Sequence, residues 1–256
     1  MFAFKKLGAF ALILLLAVPA LAQAGEQAMG VWQKDVELGV NILQSSYSEN
    51  WNGGDKGAVV WTGVLDAKME KQFNARTNWR NTLKLAYGQT HQQERNAAGD
   101  LFWPRPDKTD DMIDFESMFR WTRDNGWDPF VAFNFTSMFS DQSDAAGRTI
   151  DFNPKSFKES FGMSRTLVDT DERRVNMRFG LAAIQNMRKF FLNPAPDSET
   201  DSKSSTGLAA EMVTEYAAQV LEDRVQWDSK LTLTLPFMYS GKETFEDEVN
   251  LAAEGL

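Results

Sequence analysis

Charged or polar side chains alternate with large apolar side chains along residues 174–181. One parity carries Arg174, Asn176 and Arg178, and the other carries Val175, Met177, Phe179 and Leu181. A period of two residues is typical of a β-strand with one polar and one apolar face. At least six other stretches repeat the pattern. The chain is therefore predicted to be all-β, with a sheet whose two faces meet different surroundings.

The other clear strands are predicted to begin near Val36, Val59, Trp79, Ile113, Val131 and Val225. Two further segments fit the alternation less well. Phe157–Leu167 carries Glu159 and Arg165 on its apolar parity, and Leu208–Val220 is rich enough in Ala and Glu to resemble a helix. We predict strands for both, because removing either would break the order of the turns.

The first 24 residues have the three parts of a secretory signal peptide. Lys5 and Lys6 form the basic part, Leu7–Val18 the apolar part, and Ala22-Gln23-Ala24 a small-residue cleavage site. About a dozen apolar residues are too few to span a bilayer of roughly 30 Å as a helix. We predict that residues 1–24 are cleaved and that residues 25–256 form a single exported domain.

The predicted connections alternate between short and long. Short turns are expected at Gln72–Ala75, Asp124–Asp128, Val168–Glu172 and Glu222-Asp223, and long polar loops at Gln92–Thr109, Gln142–Lys155 and Leu192–Gly207. Outer-membrane barrels have short periplasmic turns at one end and long outer loops at the other. Soluble barrels have no reason to sort their loops in this way. The sequence therefore predicts an up-and-down antiparallel transmembrane β-barrel in the outer membrane, with a soluble periplasmic protein as the alternative.

Composition argues against several classes of function. The chain has no Cys and a single His, His91, which leaves little scope for a thiolate or histidine metal site or for a histidine triad. A net charge of −9 argues against nucleic acid as a partner. Acidic residues occur together at Asp107, Asp110, Asp111 and Asp114, and along 169–172, without the spacing of a calcium loop. We predict no cofactor and no metal site.

Three local motifs resemble a known family. They are Asn50-Trp51-Asn52-Gly53-Gly54, the ten residues Trp79–Gly88, and Lys108–Asp114. They are similar to segments of the domain-of-unknown-function family 3078, and the resemblance runs from about Trp32 to Phe237. It implies an exported outer-membrane β-barrel of Gram-negative bacteria, of the type common in Bacteroidetes. It implies no particular activity.

The last residues predict an incomplete barrel. Phe245–Leu251 begins another alternating strand, but the sequence stops at Gly255-Leu256 without the aromatic terminal residue that barrel-insertion machinery usually recognises. About ten strands are counted here. The family resemblance implies further strands beyond Leu256, and about twelve in a complete protein. A C-terminally truncated chain is one interpretation, and a ten-stranded barrel with an unusual terminus is the other.

The polar face of the predicted barrel is the strongest candidate for function. Its lumen-facing candidates are Arg80, Lys84, Asp114, Glu116, Arg120, Arg174, Arg178, Asp228 and Lys230, with Asp66, Glu70, Glu211 and Glu215 on the same face. The lipid-facing candidates are Phe133, Phe135, Val175, Met177, Phe179, Leu231 and Leu233. One interpretation is a charged constriction in a narrow porin-like channel for small solutes. The other is a ladder of salt bridges that closes the interior.

Two further functions stay open. A lipid hydrolase would need an outward serine near His91, and none is evident, so we predict no enzyme. A surface-binding protein would present the long loops, in which Trp103-Pro104-Arg105-Pro106 is stiff and aromatic. The expected partners are outer-membrane lipid, the barrel-insertion machinery, periplasmic chaperones and, for a channel, small solutes.

Overall fold

A computed structural model describes residues 14–15, 29–46, 56–170, 172–220, 225–240 and 250–255. Within these ranges the chain is all-β and contains no helix. Accordingly, no helix in the described ranges is long and apolar enough to cross a membrane. Most of the predicted signal peptide, the motif at residues 50–54, the predicted turn at residues 222–223 and residues 245–249 lie outside the described residues.

Ten strands carry the fold. They are β1 Trp32–Ser45, β2 Ala58–Asn74, β3 Thr77–Gln92, β4 Asp107–Trp121, β5 Asp128–Ser137, β6 Lys155–Asp169, β7 Arg173–Phe191, β8 Thr200–Val220, β9 Val225–Tyr239 and β10 Asn250–Gly255. Two small hairpins lie in the connections, Glu94–Arg95 with Leu101–Phe102 and Ser140–Asp141 with Ile150–Asp151. Leu14–Leu15 forms a two-residue strand paired with Asn41 and Ile42.

The ten strands follow one another in a single sheet in the order of the sequence, with Leu14–Leu15 at one edge and β10 at the other. The pairings from β5 to β10 are antiparallel. The described residues show no pairing between the two edges. The predicted fold class, all-β with up-and-down antiparallel strands, is therefore confirmed. Both segments with weak alternation are strands, β6 and β8.

The strands are divided between two compact units. The first contains Asp35–Ala67 and Leu83–Ile113, and the second contains Lys68–Thr82 and Asp114–Leu256. In the first unit, Trp61 packs against Tyr87 with ring centroids 5.8 Å apart, and Lys84 pairs with Asp66. The second unit holds most of the predicted polar-face candidates.

The sheet of the second unit curls around its polar face. Arg80 on β3 and Glu215 on β8 are five positions apart in the strand order, yet an Arg80 nitrogen lies 3.0 Å from a Glu215 oxygen. Strands lie about 4.8 Å apart in a sheet, so a flat sheet would separate these two strands by about 24 Å. The polar face of the second unit is therefore concave, while apolar side chains such as Phe161 and Leu235 are exposed on the other face, at 60% and 49%.

Small residues allow this curvature. Gly162 on β6 pairs directly with Gly180 on β7. A Cβ atom at Gly162 would lie 1.9 Å from the Phe179 carbonyl oxygen, so the two backbones approach too closely for a side chain. Ala182 and Ala209 form the next cross-strand step between β7 and β8 and are fully buried. The alanines of β8, which make the sequence resemble a helix, thus serve close packing in a strand.

The bounds of several predicted connections shift in the structure, and two of them show why. The turn predicted at Gln72–Ala75 lies at residues 75–76, because β2 continues to Asn74. The Asn74 side chain accepts hydrogen bonds from the backbone of Arg76 and Thr77 and closes the turn there. The loop predicted at Leu192–Gly207 is only residues 192–199, because polar residues from Thr200 onward pair with the end of β7. The Asn125-Gly126 turn is confirmed, with Gly126 at a φ of 72°.

Candidate functional site

Five charged side chains from five strands meet inside the second unit. They are Arg80 on β3, Glu116 on β4, Arg178 on β7, Glu215 on β8 and Lys230 on β9, and we name them the central network. Each reaches the interior because its strand places alternate residues on the concave face. Their strands are not all neighbours, so the contacts cross the interior rather than follow the sheet.

The central network is held by paired hydrogen bonds. Arg178 donates two to Glu116, with nitrogen to oxygen distances of 2.6 and 3.1 Å. Arg80 donates two to Glu215, at 3.0 and 3.3 Å, and lies 3.7 Å from Glu116. The Lys230 amine is 3.6 Å from Glu116. Two-pronged arginine to carboxylate contacts fix geometry as well as charge, so these side chains form one rigid cross-brace.

A second ion pair adds to the central network. Lys158 on β6 donates to the buried carboxylate of Glu211 on β8. The space remaining beside the network is a cavity of about 30 Å³, lined among others by Arg120, Ser164 and Asn176. A water molecule needs roughly 10–15 Å³ of such space, so this cavity has room for only a few water molecules.

A much larger cavity opens at the end of the strands that carries the loops. It measures about 840 Å³ and is lined by the end residues of β5 to β9, including Lys155, Arg188, Lys203 and Tyr239. We name it the mouth cavity. Ser156 and Ser205 also line it and share a parity with the buried Lys158 and Glu211, so the cavity is the open end of the same concave face.

One loop carboxylate lies next to the mouth cavity. Asp141 is 3.4 Å from Arg188 and accepts hydrogen bonds from Asn153 and Ser143. Burial raises the pKa of Asp141, but the hydrogen bonds from Ser143 and Asn153 and the charge of Arg188 outweigh it, so the pKa is lowered. Asp141 therefore remains charged at neutral pH and is already engaged by its neighbours.

The opposite end of the strands, where the turns are short, carries an aromatic cluster. Trp79 lies with its ring centroid 5.2 Å from that of Trp32 and 5.0 Å from that of Phe119. Lys71 lies 5.1 Å from the ring of Phe73. Trp121, Trp127 and Trp227 are exposed near the same turns. Aromatic rings mixed with long basic side chains are typical of a membrane boundary.

The lumen-facing candidates occupy three kinds of position. Arg80, Glu116, Arg178 and Lys230 form the central network with Glu215, which had been placed on the same face. Lys84 and Asp114 have separate partners, Asp66 at 3.8 Å and Asn134 at 2.6 Å. Arg120 and Asp228 are half-buried, whereas Arg174 pairs with Asp169 at an exposed turn. Alternate residues of each strand share a face, and the curvature of the sheet decides which of them meet.

Sequence reasoning missed Lys158. The alternation in β6 is weak because Glu159 and Arg165 lie on the same outward parity as Phe161 and Met163. The opposite row, Lys158, Ser160, Gly162 and Ser164, is small or polar throughout. That row was the signal that could have placed Lys158 on the concave face.

The lipid-facing candidates lie on the convex side. Phe179, Leu231 and Leu233 are exposed, and Val175 and Met177 are half-buried. Phe133 and Phe135 are partly covered because both rings pack on Phe157, with centroids 6.3 and 5.1 Å away. The convex side of the second unit therefore carries many exposed apolar side chains.

The remaining sequence motifs have local partners. Asp110 accepts a hydrogen bond from Thr62 at 3.2 Å, and Asp111 pairs with Lys108 at 2.7 Å. In the described part of the chain, no group of three or more possible ligands is arranged to hold a metal ion. His91 hydrogen-bonds with the Pro104 carbonyl at 2.5 Å and packs against Trp103.

A family model covers the part of the chain that contains the three sequence motifs. Residues 42–142, about two fifths of the chain, match the family model described as "Protein of unknown function (DUF3078)". The predicted resemblance to that family is therefore confirmed over these residues. The crystal structure of the beta domain of the Bordetella autotransporter Brka is similar with a TM-score of 0.41 and 12% identity, covering 90% of this chain and 83% of that one. No curated protein matches the chain.

Proposed function

We propose that this chain is an outer-membrane β-barrel whose interior is closed to solutes, and that it works through its outer end. The observation that carries the proposal is the central network, which braces the concave face from β3 to β9. The cavity of about 30 Å³ beside it has room for a few water molecules and not for a hydrated solute. A porin would instead need an aqueous lumen.

The convex surface supports a membrane location. The outward side chains of β9 from Trp227 to Phe237 are mostly large, apolar and exposed. Ten residues of strand at about 3.3 Å each, tilted by about 40°, cover a height of about 25 Å, the apolar band of an outer-membrane barrel. An apolar surface of this extent is a liability in water.

The ends of the strands support an orientation. In the second unit, the turns at residues 75–76 and 122–127 and the aromatic cluster lie at one end of the strands, and the connection at 138–154 with its small hairpin lies at the other. In outer-membrane barrels the short turns are periplasmic. The mouth cavity would then face outward from the cell, and its partners would be extracellular. Insertion of such a barrel would use periplasmic chaperones and the barrel-insertion machinery.

The membrane location is tested by fractionation of expressing Gram-negative cells and gel migration with and without boiling. We expect the chain in the outer-membrane fraction, with a folded band that shifts on heating. Recovery in the soluble periplasm would overturn the membrane location.

The closed interior is tested by planar-bilayer recordings. We expect no conductance steps from the wild type, and steps from the double variant Glu116→Ser with Arg178→Ser, which removes the two-pronged ion pair without changing net charge. The matched control is Asp169→Ser with Arg174→Ser, which removes an exposed pair at a turn. Steps from the wild type would overturn the closed interior. A silent double variant that still shows the heat-sensitive folded band would show that the network does not close it.

A further inference from the structure

Two cations face each other at the mouth cavity. Arg188 on β7 and Lys203 on β8 are direct cross-strand partners, and the register between these strands is unbroken from Phe191 to Arg173. Both therefore lie on the concave face, ten and eight residues along their strands from the buried Arg178 and Glu211. Like charges directly opposite each other in a sheet are destabilising. Such a pair favours a shared anion.

The counter-charge at this position is incomplete. Asp141 lies 3.4 Å from Arg188, which is the longest hydrogen bond that carboxylate makes, and the Arg188 side chain remains 55% exposed. The Lys203 amine lies 5.4 Å from the ring centroid of Phe190. Among the described residues, none of those that line this cavity carries a carboxylate.

The rest of the lining has the chemistry of a sugar site. Ser156, Ser205 and Asn186 supply hydroxyl and amide groups, which can donate and accept hydrogen bonds. Tyr239 supplies an aromatic ring at the edge of the cavity. A volume of about 840 Å³ lies within the range of small-molecule sites. Neutral donors beside a cluster of cations suit a ligand that has both hydroxyl groups and a strong anion.

We propose that the mouth cavity binds a phosphorylated saccharide, with the phosphate between Arg188 and Lys203 and the sugar toward Ser156, Ser205 and Tyr239. Arginine and lysine are the usual protein partners of phosphate, and hydrogen bonds between charged groups are stronger than neutral ones. The same chemistry is offered by a free sugar phosphate and by the phosphorylated headgroup of a glycolipid. The concave position of the cavity favours the free solute. This inference goes beyond the closed barrel and does not depend on the membrane location.

The test is calorimetric titration of the full chain, folded in detergent micelles, with glucose 6-phosphate, glucose, inorganic phosphate and lipopolysaccharide. We expect saturable binding of glucose 6-phosphate that weakens with added salt, and weaker binding of phosphate and of glucose. Arg188→Gln and Lys203→Gln should each weaken binding of glucose 6-phosphate by about tenfold, the loss of one charge-assisted contact. The matched control is Lys189→Gln, a neighbouring cation on the outward parity, which should leave binding unchanged.

Each outcome bears on the proposal. Binding of lipopolysaccharide with no binding of glucose 6-phosphate, lost in the same two variants, would support the site and assign it to a glycolipid headgroup. Equal affinity for phosphate and glucose 6-phosphate would overturn the saccharide part. Unchanged binding in a folded double variant, Arg188→Gln with Lys203→Gln, would overturn the site, as would the absence of saturable binding to every phosphate probe. None of these results would alter the conductance test of the closed interior.

Discussion

Arg178 and Arg188 lie on the same face of the same strand, ten residues apart, and have opposite surroundings. Arg178 is buried and donates two hydrogen bonds to Glu116. Arg188 is exposed and faces Lys203 across the sheet. A buried charge must be paired because desolvation is costly, whereas water screens the repulsion between exposed like charges. The contrast separates side chains that pair with one another inside the second unit from side chains that remain exposed at its end.

Removing a buried partner should have the largest effect. Arg178→Met leaves Glu116 buried without its two-pronged partner, and we expect the free energy of unfolding to fall by about 3–5 kcal/mol. The measurement is denaturant unfolding of the protein in micelles, followed by tryptophan fluorescence.

Arg174→Met is the matched control for Arg178→Met. Arg174 lies on the same strand and parity, but its side chain and that of Asp169 are both more than half exposed. The effect should be no more than about 1 kcal/mol. Equal losses in the two variants would contradict the distinction between a closed centre and an open end.

Backbone contact at the centre gives the next largest effect. Alanine at Gly162 would place a Cβ atom 1.9 Å from the Phe179 carbonyl oxygen and 2.5 Å from the Cα of Gly180. Backbone cannot move as freely as a side chain, so we expect Gly162→Ala to lower the free energy of unfolding by about 1–3 kcal/mol. Gly207→Ala at the mouth serves as the control. A Cβ atom at Gly207 would lie 3.0 Å from the Met238 carbonyl oxygen and 3.2 Å from the ring of Tyr239. These contacts are much less close, so we expect the free energy of unfolding to fall by less than about 1 kcal/mol.

The sequence determined the faces of the strands better than the contacts across the interior. Alternation placed Arg80, Glu116 and Arg178 on one face, because parity depends only on neighbouring residues. The partner of Arg80 is Glu215, 135 residues later, and their contact depends on how far the sheet curls. The sheet curves where two backbones approach closely, as at Gly162 and Gly180. The sequence shows two glycines but does not show that they pair. We predicted a loop for residues 200–206 because they are polar. They form the start of β8 instead, because they pair with the end of β7.

Reversing one charge at the mouth should raise the free energy of unfolding slightly, whereas Arg178→Met and Gly162→Ala should lower it. Lys203→Glu converts the like-charge pair with Arg188 into an opposite-charge pair, and we expect the free energy of unfolding to rise by about 0.2–1 kcal/mol. The rise should shrink at high salt, because both side chains are exposed. Lys189→Glu, on the outward parity beside it, is the control. A loss of stability in Lys203→Glu at low salt would mean that Arg188 already has sufficient counter-charge.

The smallest expected effect concerns the loops at the mouth. It is measured as the pKa of Asp144. Asp144 accepts hydrogen bonds from Arg148 at 2.8 and 3.0 Å, and these lower the pKa of Asp144 to about 2. Arg148 also donates to the Asn193 carbonyl and stacks on Phe191, so it joins two loops. Because the folded pKa is depressed, the stabilisation is present above about pH 4 and is lost as the pH falls through about 2. A carboxyl NMR titration in micelles should give a midpoint near 2 in the wild type and a higher midpoint in Arg148→Gln, in which the backbone hydrogen bonds to Asp144 remain. A wild-type midpoint near 4 would show that Asp144 and Arg148 do not pair in solution. The two loops at the mouth would then lack the contact that joins them.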